Sequence, residues 1–319
     1  MDSFSRPRWS ALALIGAAAS WGLATVVSKR AVAELPPLLL LTVQLAVSVA
    51  ALAILMRWRG ISWRTPGVPP LLTWLGVLNP GAAYLLGLLG LVSISASLSV
   101  LLWAAEPILI LLLAALVLRE PLGRRLVAMS LLAATGMAIL VVDPSVAGGL
   151  VGVLLTLAGV ACCAVYTIIA RRLIGTADGT VPVVARQQLA ALLVIGGVTA
   201  AFAIGGAFDG ILAISGTGWI SAAVSGLLYY AVAYWLYLSA LRHVPASIAA
   251  ASFYLIPAFG LVASFALLGE RLTPQQLVGV GVVAVAVIGI LGATLRAPSR
   301  PFTEVLPGPV PEPGGPPGP

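Results

Sequence analysis

The chain has 319 residues, of which 61% are hydrophobic and only 8% are charged, and its mean hydropathy is +1.11. Soluble domains carry about 25% charged residues, so this composition excludes a water-soluble globular protein and indicates an integral membrane protein. The net charge of +7 does not indicate a nucleic-acid partner. The basic residues occur in small groups between apolar runs, as the positive-inside rule expects for a membrane protein.

Ten apolar segments are long enough to cross a bilayer as helices, which requires about 20 residues each. Turn and charge signals such as ELPP, REPLGRR and GERLTP separate most of them, whereas the boundary at residues 91–95 contains neither a charge nor a proline. We therefore predict an all-α integral membrane protein with ten transmembrane helices. The predicted spans are residues 9–29, 37–56, 69–90, 94–118, 125–142, 149–170, 183–205, 219–240, 246–268 and 275–295.

The distribution of basic residues predicts the orientation of these spans. With residues 1–8 in the cytoplasm, 14 of the 17 basic residues lie on the cytoplasmic side, and only Lys29, Arg30 and Arg271 lie outside. This predicts a multi-pass protein of the plasma (bacterial inner) membrane with both termini cytoplasmic. A cleaved N-terminal signal peptide is an alternative, but the apolar run continues to Val27.

The C-terminal segment, residues 296–319, is rich in proline and glycine. Such a composition cannot form a core of its own and favours a solvated, disordered tail with local polyproline II structure. Docking of this tail to a partner, as a scaffold, is an alternative interpretation.

An internal repeat divides the spans into two halves. Sliding the chain against itself by 150 residues places Pro107 on Pro257, and an offset of 142 places Trp21 on Cys163. Each half holds five spans, and because five is odd, the second copy is inverted relative to the first. Inverted repeats around a site at the membrane midplane are the architecture of alternating-access transporters. The two predicted repeats are residues 9–142 and 149–295.

The pattern SWG…SKR at residues 20–30, the spans that end in REPL and GERL, and the loop LRHVPAS resemble the EamA domains of the drug/metabolite transporter superfamily. The resemblance covers nearly all of residues 9–295. It implies ten helices, two EamA units and the transport of small metabolites, often as export. The second copy departs from the pattern by placing Cys163 where the first has Trp21, so no role is carried over for that tryptophan.

Glu106 is an acidic residue in the middle of the fourth predicted span. At about 1.5 Å per residue it lies about 18 Å from either end, where a charged carboxylate costs a few kcal/mol. The equivalent residue in the second repeat is Ile256, so the adjacent proline does not require an acid. Two interpretations stay open: a protonated Glu106 that hydrogen-bonds a neighbouring helix, and a cavity-facing Glu106 that binds a proton or a cationic substrate group.

Aromatic and polar side chains within the spans are further candidates for a substrate cavity. Some of the aromatic residues are expected to line the cavity, and others to lie at the lipid interface. Polar residues such as Asn79 and the pair Gln187–Gln188 serve interhelical hydrogen bonds at least as often as substrate contacts. Pro107 and Pro257 each remove one backbone donor and are predicted to kink their helices. With Glu106, the predicted substrate or coupling residues are Trp103, Tyr84, Asn79, Tyr166, Tyr230, Tyr234 and Tyr254.

The sequence offers no cofactor or metal site. The two cysteines, Cys162 and Cys163, are adjacent and predicted to serve packing, and His243 is the only histidine. A phosphate-binding loop with GK[ST] is missing, which excludes a self-contained ATPase and leaves secondary transport. Glu120, which follows the fourth span, is expected to cap or pair with a loop.

We therefore predict a secondary transporter, an exporter of a small metabolite such as an amino acid or related amine. Its expected partners are that substrate, the lipid bilayer and a proton or cation, but no nucleic acid. The sequence leaves open whether the protein forms a homodimer, because the small residues Gly16 and Ser20 suit helix packing within one chain as well as between chains. The alternative is a membrane-embedded enzyme that uses Glu106 as an acid or base, for which the spans offer no second buried catalytic group.

Overall fold

Apolar helices separated by short turns form the protein. The computed structural model describes residues 6–63, 68–91, 102–103, 105–141, 149–177, 179–208, 214–268 and 274–296, and within them it contains no strand. The spans are numbered here α1 to α10. They are α1 (Arg6–Val32), α2 (Pro37–Trp58), α3 (Pro70–Gly76, Val77–Ala82 and Ala83–Leu91), α4 (Glu106–Val117), α5 (Arg124–Val141), α6 (Leu150–Leu173), α7 (Val181–Ile204), α8 (Gly216–Gly226, Leu227–Val232 and Ala233–Leu241), α9 (Ala246–Ala251, Ser252–Tyr254 and Leu255–Leu268) and α10 (Pro274–Arg296).

These helices confirm the predicted fold class. Every predicted span contains a helix, and their ends agree within about one turn wherever the structure describes them. Within the described residues, α1, α2, α6, α7 and α8 are long and apolar enough to cross a membrane as single helices. The start of the fourth predicted span, the boundary at residues 91–95 and the C-terminal tail lie outside the described residues.

Prolines at helix starts and residues with positive φ after helix ends define several helix boundaries. Pro37 and Pro70 each occupy the first position of a helix, where the missing N–H costs nothing. Past the ends of α2 and α4, Gly60 and Arg119 adopt positive φ values of 63° and 55°, which turn the chain out of the helix. The turn signals in the sequence therefore mark where helices begin and end.

Two π-helical segments occupy equivalent positions in the two repeats. In α3 the segment is Val77–Ala82, and in α8 it is Leu227–Val232, which lies 150 residues later. The first contains a break at Asn79 (φ −147°, ψ 117°), which precedes Pro80 through a cis peptide bond. The second forms without a proline. The offset that aligns Pro107 with Pro257 therefore also aligns an irregular backbone feature, which supports the two inverted repeats.

A glycine immediately before each π-helical segment brings two helices into backbone contact. A Cβ atom added to Gly76 would lie 1.9 Å from the carbonyl oxygen of Gln187 in α7. A Cβ atom added to Gly226 would lie 2.6 Å from the Cα atom of Gln44 in α2. Only glycine permits these approaches. The helix pairs α3–α7 and α8–α2 therefore form the same backbone contact in the two repeats.

The two glutamines at these contacts hydrogen-bond across the helix interface. Gln187 Nε2 donates to the carbonyl oxygen of Leu72 at 2.8 Å. Gln44 Nε2 donates to Ser225 Oγ at 2.8 Å and to Ser28 Oγ at 2.9 Å. Both glutamines are thus interhelical ties within the protein, the more common of the two roles expected for such residues.

Two glutamates tie helix ends together at opposite faces of the membrane. We call the face at which α1 begins the N-side and the other face the far side. On the N-side, Glu120 accepts hydrogen bonds from Ala246 N (2.8 Å), Ser247 N (3.2 Å) and Ser247 Oγ (2.7 Å) at the start of α9. The expected capping role of Glu120 is thus present in the structure, and it joins the first repeat to the second.

On the far side, Glu34 plays a similar part. Its carboxylate accepts hydrogen bonds from Ser215 N at 2.7 Å and from Ser215 Oγ at 2.8 Å, just before α8. These bonds favour the ionised form and lower the pKa of Glu34 below its ordinary value, the side-chain bond being the larger cause. Ser215 Oγ in turn accepts from Gly218 N at 3.0 Å and so caps α8.

The glycine contact yields a prediction about stability. Gly76→Ala should lower the free energy of unfolding by about 2 kcal/mol or more, because the added methyl group overlaps the backbone of α7. Gly197→Ala is the matched control: Gly197 also lies within a helix, but a Cβ atom there meets nothing within 4 Å. It should be neutral or stabilise by up to about 1 kcal/mol. Thermal unfolding of both variants in detergent tests this, and equal midpoints would contradict it.

Candidate functional site

Aromatic rings from both repeats meet in one buried cluster at the centre of the fold. Tyr84 of α3 packs against Tyr229 and Tyr230 of α8, with ring centroids 5.4 Å and 5.6 Å away. The ring centroid of Trp103 lies 6.0 Å from that of Tyr84. Such distances are typical of attractive ring pairs. The members of this aromatic cluster are Trp21, Tyr84, Trp103, Tyr166, Tyr229, Tyr230, Tyr234, Tyr237 and Phe253.

The π-helical segment in α8 explains why two consecutive tyrosines enter the cluster. In a regular α-helix, adjacent side chains point about 100° apart and do not share a face. The wider turn of a π-helix changes this spacing locally. As a result, Tyr229 and Tyr230 both contact Tyr84, and Tyr230 also stacks on Tyr234 with ring centroids 6.3 Å apart.

Several of these tyrosines are sealed within the protein and hydrogen-bonded. The Tyr234 hydroxyl donates to Asn79 Oδ1 at 2.6 Å, which joins α8 of the second repeat to the helix break in α3 of the first. The Tyr166 hydroxyl donates to Gln187 Oε1 at 3.0 Å. Both rings are almost fully buried. Their hydroxyl groups already hydrogen-bond within the protein. We therefore interpret Tyr234, Tyr166 and Asn79 as residues that hold the shape of the site.

Glu106 begins α4 and lies beside the aromatic cluster. It is within electrostatic range of Cys163 in α6 and of Tyr229, Tyr234 and Tyr237 in α8. Its side chain is partly accessible, although α4 packs against α6 and α9. In the described part of the chain, no donor hydrogen-bonds its carboxyl group and no basic side chain pairs with it. Among the described residues, this placement does not supply the hydrogen bond to a neighbouring helix that one of the two interpretations drawn from the sequence requires.

The members of the aromatic cluster differ in how deeply they are buried. Tyr84, Trp103 and Tyr229 retain some accessible surface, whereas Tyr230, Tyr234 and Tyr237 are each only 2% exposed. The accessible rings are joined to one another through Tyr84. Tyr229 was not among the candidates predicted from the sequence, because its accessibility depends on the π-helical segment, which no sequence pattern in α8 announces.

Tyr254 lies apart from the aromatic cluster, and each of the two prolines lies next to a break in its span. Tyr254 is 1% exposed, and no ring contact among the described residues connects it to the aromatic cluster. Its hydroxyl group is buried without a hydrogen-bond partner in the same set of residues. Pro107 and Pro257 each lie in the first turn of a new helical segment, after a turn at Ala105 and after the 3-10 segment Ser252–Tyr254, rather than inside a continuous helix.

The chemistry available at the site is that of one carboxyl group, one thiol and several phenols and indoles. Among the residues that the structure describes, no group of three or more His, Cys, Asp or Glu side chains could hold a metal ion. The buried polar residues in the same ranges are serines, threonines, glutamines and an asparagine. Such a site can bind a small molecule through stacking, hydrogen bonds and one charge.

Two inverted five-helix repeats are an architecture typical of membrane transporters. The chain belongs to the EamA-like transporter family, whose model matches residues 8–142 and 150–292. This match confirms the resemblance that the sequence motifs indicated.

A solved structure described as "Crystal structure of protein" superposes with a TM-score of 0.76 at 17% sequence identity. The alignment covers 90% of this chain and 99% of the other, which shows a shared fold. No match was found among curated proteins.

The hydrogen bond between the repeats can be tested with two tyrosines. Tyr234→Phe should destabilise the protein by about 1–3 kcal/mol, because it leaves the buried Asn79 Oδ1 without its donor. Tyr254→Phe removes an equally buried hydroxyl that has no partner among the described residues, so it should be neutral or stabilising. Thermal unfolding in detergent measures both. A loss of stability in Tyr254→Phe that equals the loss in Tyr234→Phe would contradict the assignment.

Proposed function

We propose that this protein is a secondary transporter that exports a small metabolite, such as an amino acid or related amine, by alternating access between its two repeats. The observation that carries the proposal is Glu106, a lone carboxyl group beside an aromatic cluster to which both repeats contribute. The family membership supports transport, and the position of Glu106 supports its role in recognition or coupling. An intramembrane carboxyl group marks a substrate or proton path by default.

Glu106 couples the cycle by holding one positive charge at a time. When a proton occupies it, the carboxyl group is neutral and the site no longer attracts a cation; when the proton leaves, a cationic substrate group can bind. The titratable groups of neighbouring helices that lie within electrostatic range of Glu106 are the Cys163 thiol and the hydroxyl groups of Tyr229, Tyr234 and Tyr237. None of these groups offers a fixed cation, which leaves the charge of Glu106 to the proton or the substrate.

The lack of a second catalytic group among the described residues argues against an enzyme. Acid–base catalysis at Glu106 would require a second catalytic group at the same depth, and the buried polar residues in the described ranges include no histidine and no other acid. Transport requires only that the site bind its ligand and open to either side.

A pair of arginines supports alternating access. On the far side, Arg30 Nη2 at the end of α1 donates to the carbonyl oxygen of Leu267 in α9 at 3.0 Å. On the N-side, Arg172 Nη2 at the end of α6 donates to the carbonyl oxygen of Val117 in α4. The offset of 142 relates the two arginines, and the offset of 150 relates the two acceptors. The repeats therefore place equivalent arginine–carbonyl hydrogen bonds at opposite faces of the membrane. We call them the Arg30 latch and the Arg172 latch.

In this proposal each latch closes one face. Breaking the Arg172 latch frees the ends of α4 and α6 and opens the centre toward the N-side, whereas breaking the Arg30 latch opens it toward the far side. The positive-inside rule favours an N-side that faces the cytoplasm of a bacterial cell, with both termini there. Export then consists of loading with the Arg172 latch open and release with the Arg30 latch open.

The role of Glu106 is tested by transport in proteoliposomes. A metabolite panel is screened for uptake and efflux with the parent protein and with Glu106→Gln, from acidic to alkaline pH. Glu106→Gln should lower transport by about tenfold or more and remove its pH dependence, because an amide can neither ionise nor take up a proton. Glu34→Gln, which removes a carboxyl group outside the spans, is the matched control. Unchanged rate and unchanged pH dependence in Glu106→Gln would refute the proposal.

The two latches are tested by measuring how readily a reagent labels the thiol of Cys163. In a Cys162→Ser background, a membrane-impermeant thiol reagent added from one side reports access to Cys163. Arg172→Gln should raise labelling from the N-side, and Arg30→Gln from the far side, each by about threefold, as expected for the loss of one modest hydrogen bond. Arg57→Gln, at an exposed arginine on the N-side, should change neither. An equal rise from both sides in both variants would show that the arginines only cap helices.

A further inference from the structure

The turn that joins α2 to α3 on the N-side carries basic and aromatic side chains together. Arg57 and Trp58 lie in the last turn of α2, Arg59 caps the helix, and Trp63 follows four residues later. All four side chains are exposed, and Trp58 keeps 85% of its surface accessible. We call these four residues the basic–aromatic turn.

The way in which α2 ends fixes the backbone of the basic–aromatic turn. Gly60 N donates to the carbonyl oxygen of Arg57 at 3.3 Å, and Ile61 N donates to that of Met56 at 2.8 Å, with Gly60 at a φ of 63°. This pair of hydrogen bonds is the Schellman motif. Met56 is buried in the core and Ile61 packs against it, so the residues between them are held at the surface. Binding a ligand there requires little further ordering of the backbone.

The exposed tryptophans among the described residues all lie near the N-side. Trp9 is in the first turn of α1, Trp58 and Trp63 belong to the basic–aromatic turn, and Trp74 is the fifth residue of α3. Tryptophan favours the headgroup level of a bilayer, because its ring is apolar and its N–H group can hydrogen-bond. The basic–aromatic turn therefore lies at the headgroup level of the leaflet on the N-side.

The two arginines of the turn are available to an external anion. Within the described ranges, neither Arg57 nor Arg59 forms a hydrogen bond or an ion pair. Of the described acidic residues, Glu34, Glu106 and Glu120, only Glu120 lies on the N-side, and its carboxylate accepts the hydrogen bonds at the start of α9. Guanidinium groups hydrogen-bond phosphate well, and phosphate is the anion present at headgroup level.

We propose that the basic–aromatic turn is a binding site for one anionic phospholipid. Arg57 and Arg59 bind its phosphate and headgroup, and Trp58 and Trp63 pack against its glycerol and upper acyl chains. A zwitterionic phospholipid carries the same phosphate, but the arginines repel its ammonium group, so the turn selects a headgroup with a net negative charge. This inference goes beyond the proposed transport function and does not depend on it.

A second pair of exposed arginines on the N-side provides a contrast. Arg124 and Arg125 begin α5, and the turn that precedes them, residues 118–123, contains no tryptophan. An anionic membrane surface attracts both pairs of arginines. Only the turn between α2 and α3 adds exposed tryptophans to them. The two pairs therefore distinguish a specific lipid site from the general attraction of basic turns to the membrane.

The test uses quenching of tryptophan fluorescence by brominated lipids. The full-length protein is reconstituted into phosphatidylcholine vesicles that contain increasing fractions of dibrominated phosphatidylglycerol or dibrominated phosphatidylcholine. A bound brominated lipid quenches a neighbouring indole, so the two titrations give the relative affinity for the two headgroups. The parent should prefer phosphatidylglycerol by at least about tenfold, and Arg57→Gln/Arg59→Gln should remove the preference. Arg124→Gln/Arg125→Gln is the matched control and should keep it.

Two further variants keep the test decisive. If the double arginine variant does not fold, Arg59→Gln alone, beyond the last residue of α2, should lower the preference by about fivefold. Trp58→Phe/Trp63→Phe should abolish the quenching that favours phosphatidylglycerol, and its persistence would place the lipid at another tryptophan and overturn the inference.

Equal quenching by the two lipids in the parent would also overturn the inference, as would an equal loss of preference in the two double arginine variants. Thermal unfolding in lipid-free detergent supplies the remaining control. A lower midpoint in Arg57→Gln/Arg59→Gln, together with an unchanged lipid preference, would show that these arginines only stabilise the C-terminal end of α2.

Discussion

The fold depends on the close backbone contact at two glycines. Gly76 lies on the backbone of α7 and Gly226 on the backbone of α2, and each glycine is directly succeeded by a π-helical segment. The contacts fix the first part of α3 and of α8 against the opposite helix. The later parts of α3 and α8, which carry Tyr84 and Tyr234, are then free to turn toward the centre. The position of the aromatic cluster is a consequence of where these two backbones touch.

A bilayer permits such irregular backbone only where protein surrounds it, because lipid offers no partner for an unpaired peptide group. The structure meets this condition in α8. The carbonyl oxygen of Leu228 accepts the i→i+5 bond from Ala233 N and also a hydrogen bond from Ser20 Oγ of α1 at 2.9 Å. In α3, the break at Asn79 is buried and its side chain is held by Tyr234. Each repeat thus contributes a side chain that hydrogen-bonds to the irregular segment of the other.

Much of the fold could be predicted from the sequence because its causes are local. Apolar runs of the right length and turn signals such as ELPP indicated the helices, and the shared offset of Pro107 and Pro257 indicated the repeat. The π-helical segment in α8 could not be predicted, because it contains no proline and is set by the contact at Gly226 with a helix far away in the chain. For the same reason, the sequence analysis included Tyr230 among the candidate residues and left Tyr229 out.

At the candidate site, too, some residues could be predicted from the sequence and others could not. Glu106 was evident from sequence alone, since a carboxyl group at the middle of a span has a large desolvation cost wherever it points. Trp21 carried no predicted role because Cys163 stands at its repeat position. In three dimensions Trp21 packs edge to face against Tyr234, Tyr237 and Phe253, whereas Cys163, which is also buried, makes no ring contact. The comparison of the repeats therefore contains the difference in residue type, but only the structure shows what Trp21 packs against.

In the proposed cycle, symmetric and asymmetric features of this protein serve different steps. Arg30 and Arg172 make equivalent hydrogen bonds at opposite faces, so the proposal lets both faces open by the same motion. Glu106 has no acidic equivalent in the second repeat and no hydrogen-bond partner among the described residues, so a proton or cationic group that binds it offsets its desolvation cost. In this proposal the repeats supply the motion, and the single carboxyl group makes the motion depend on the ligand.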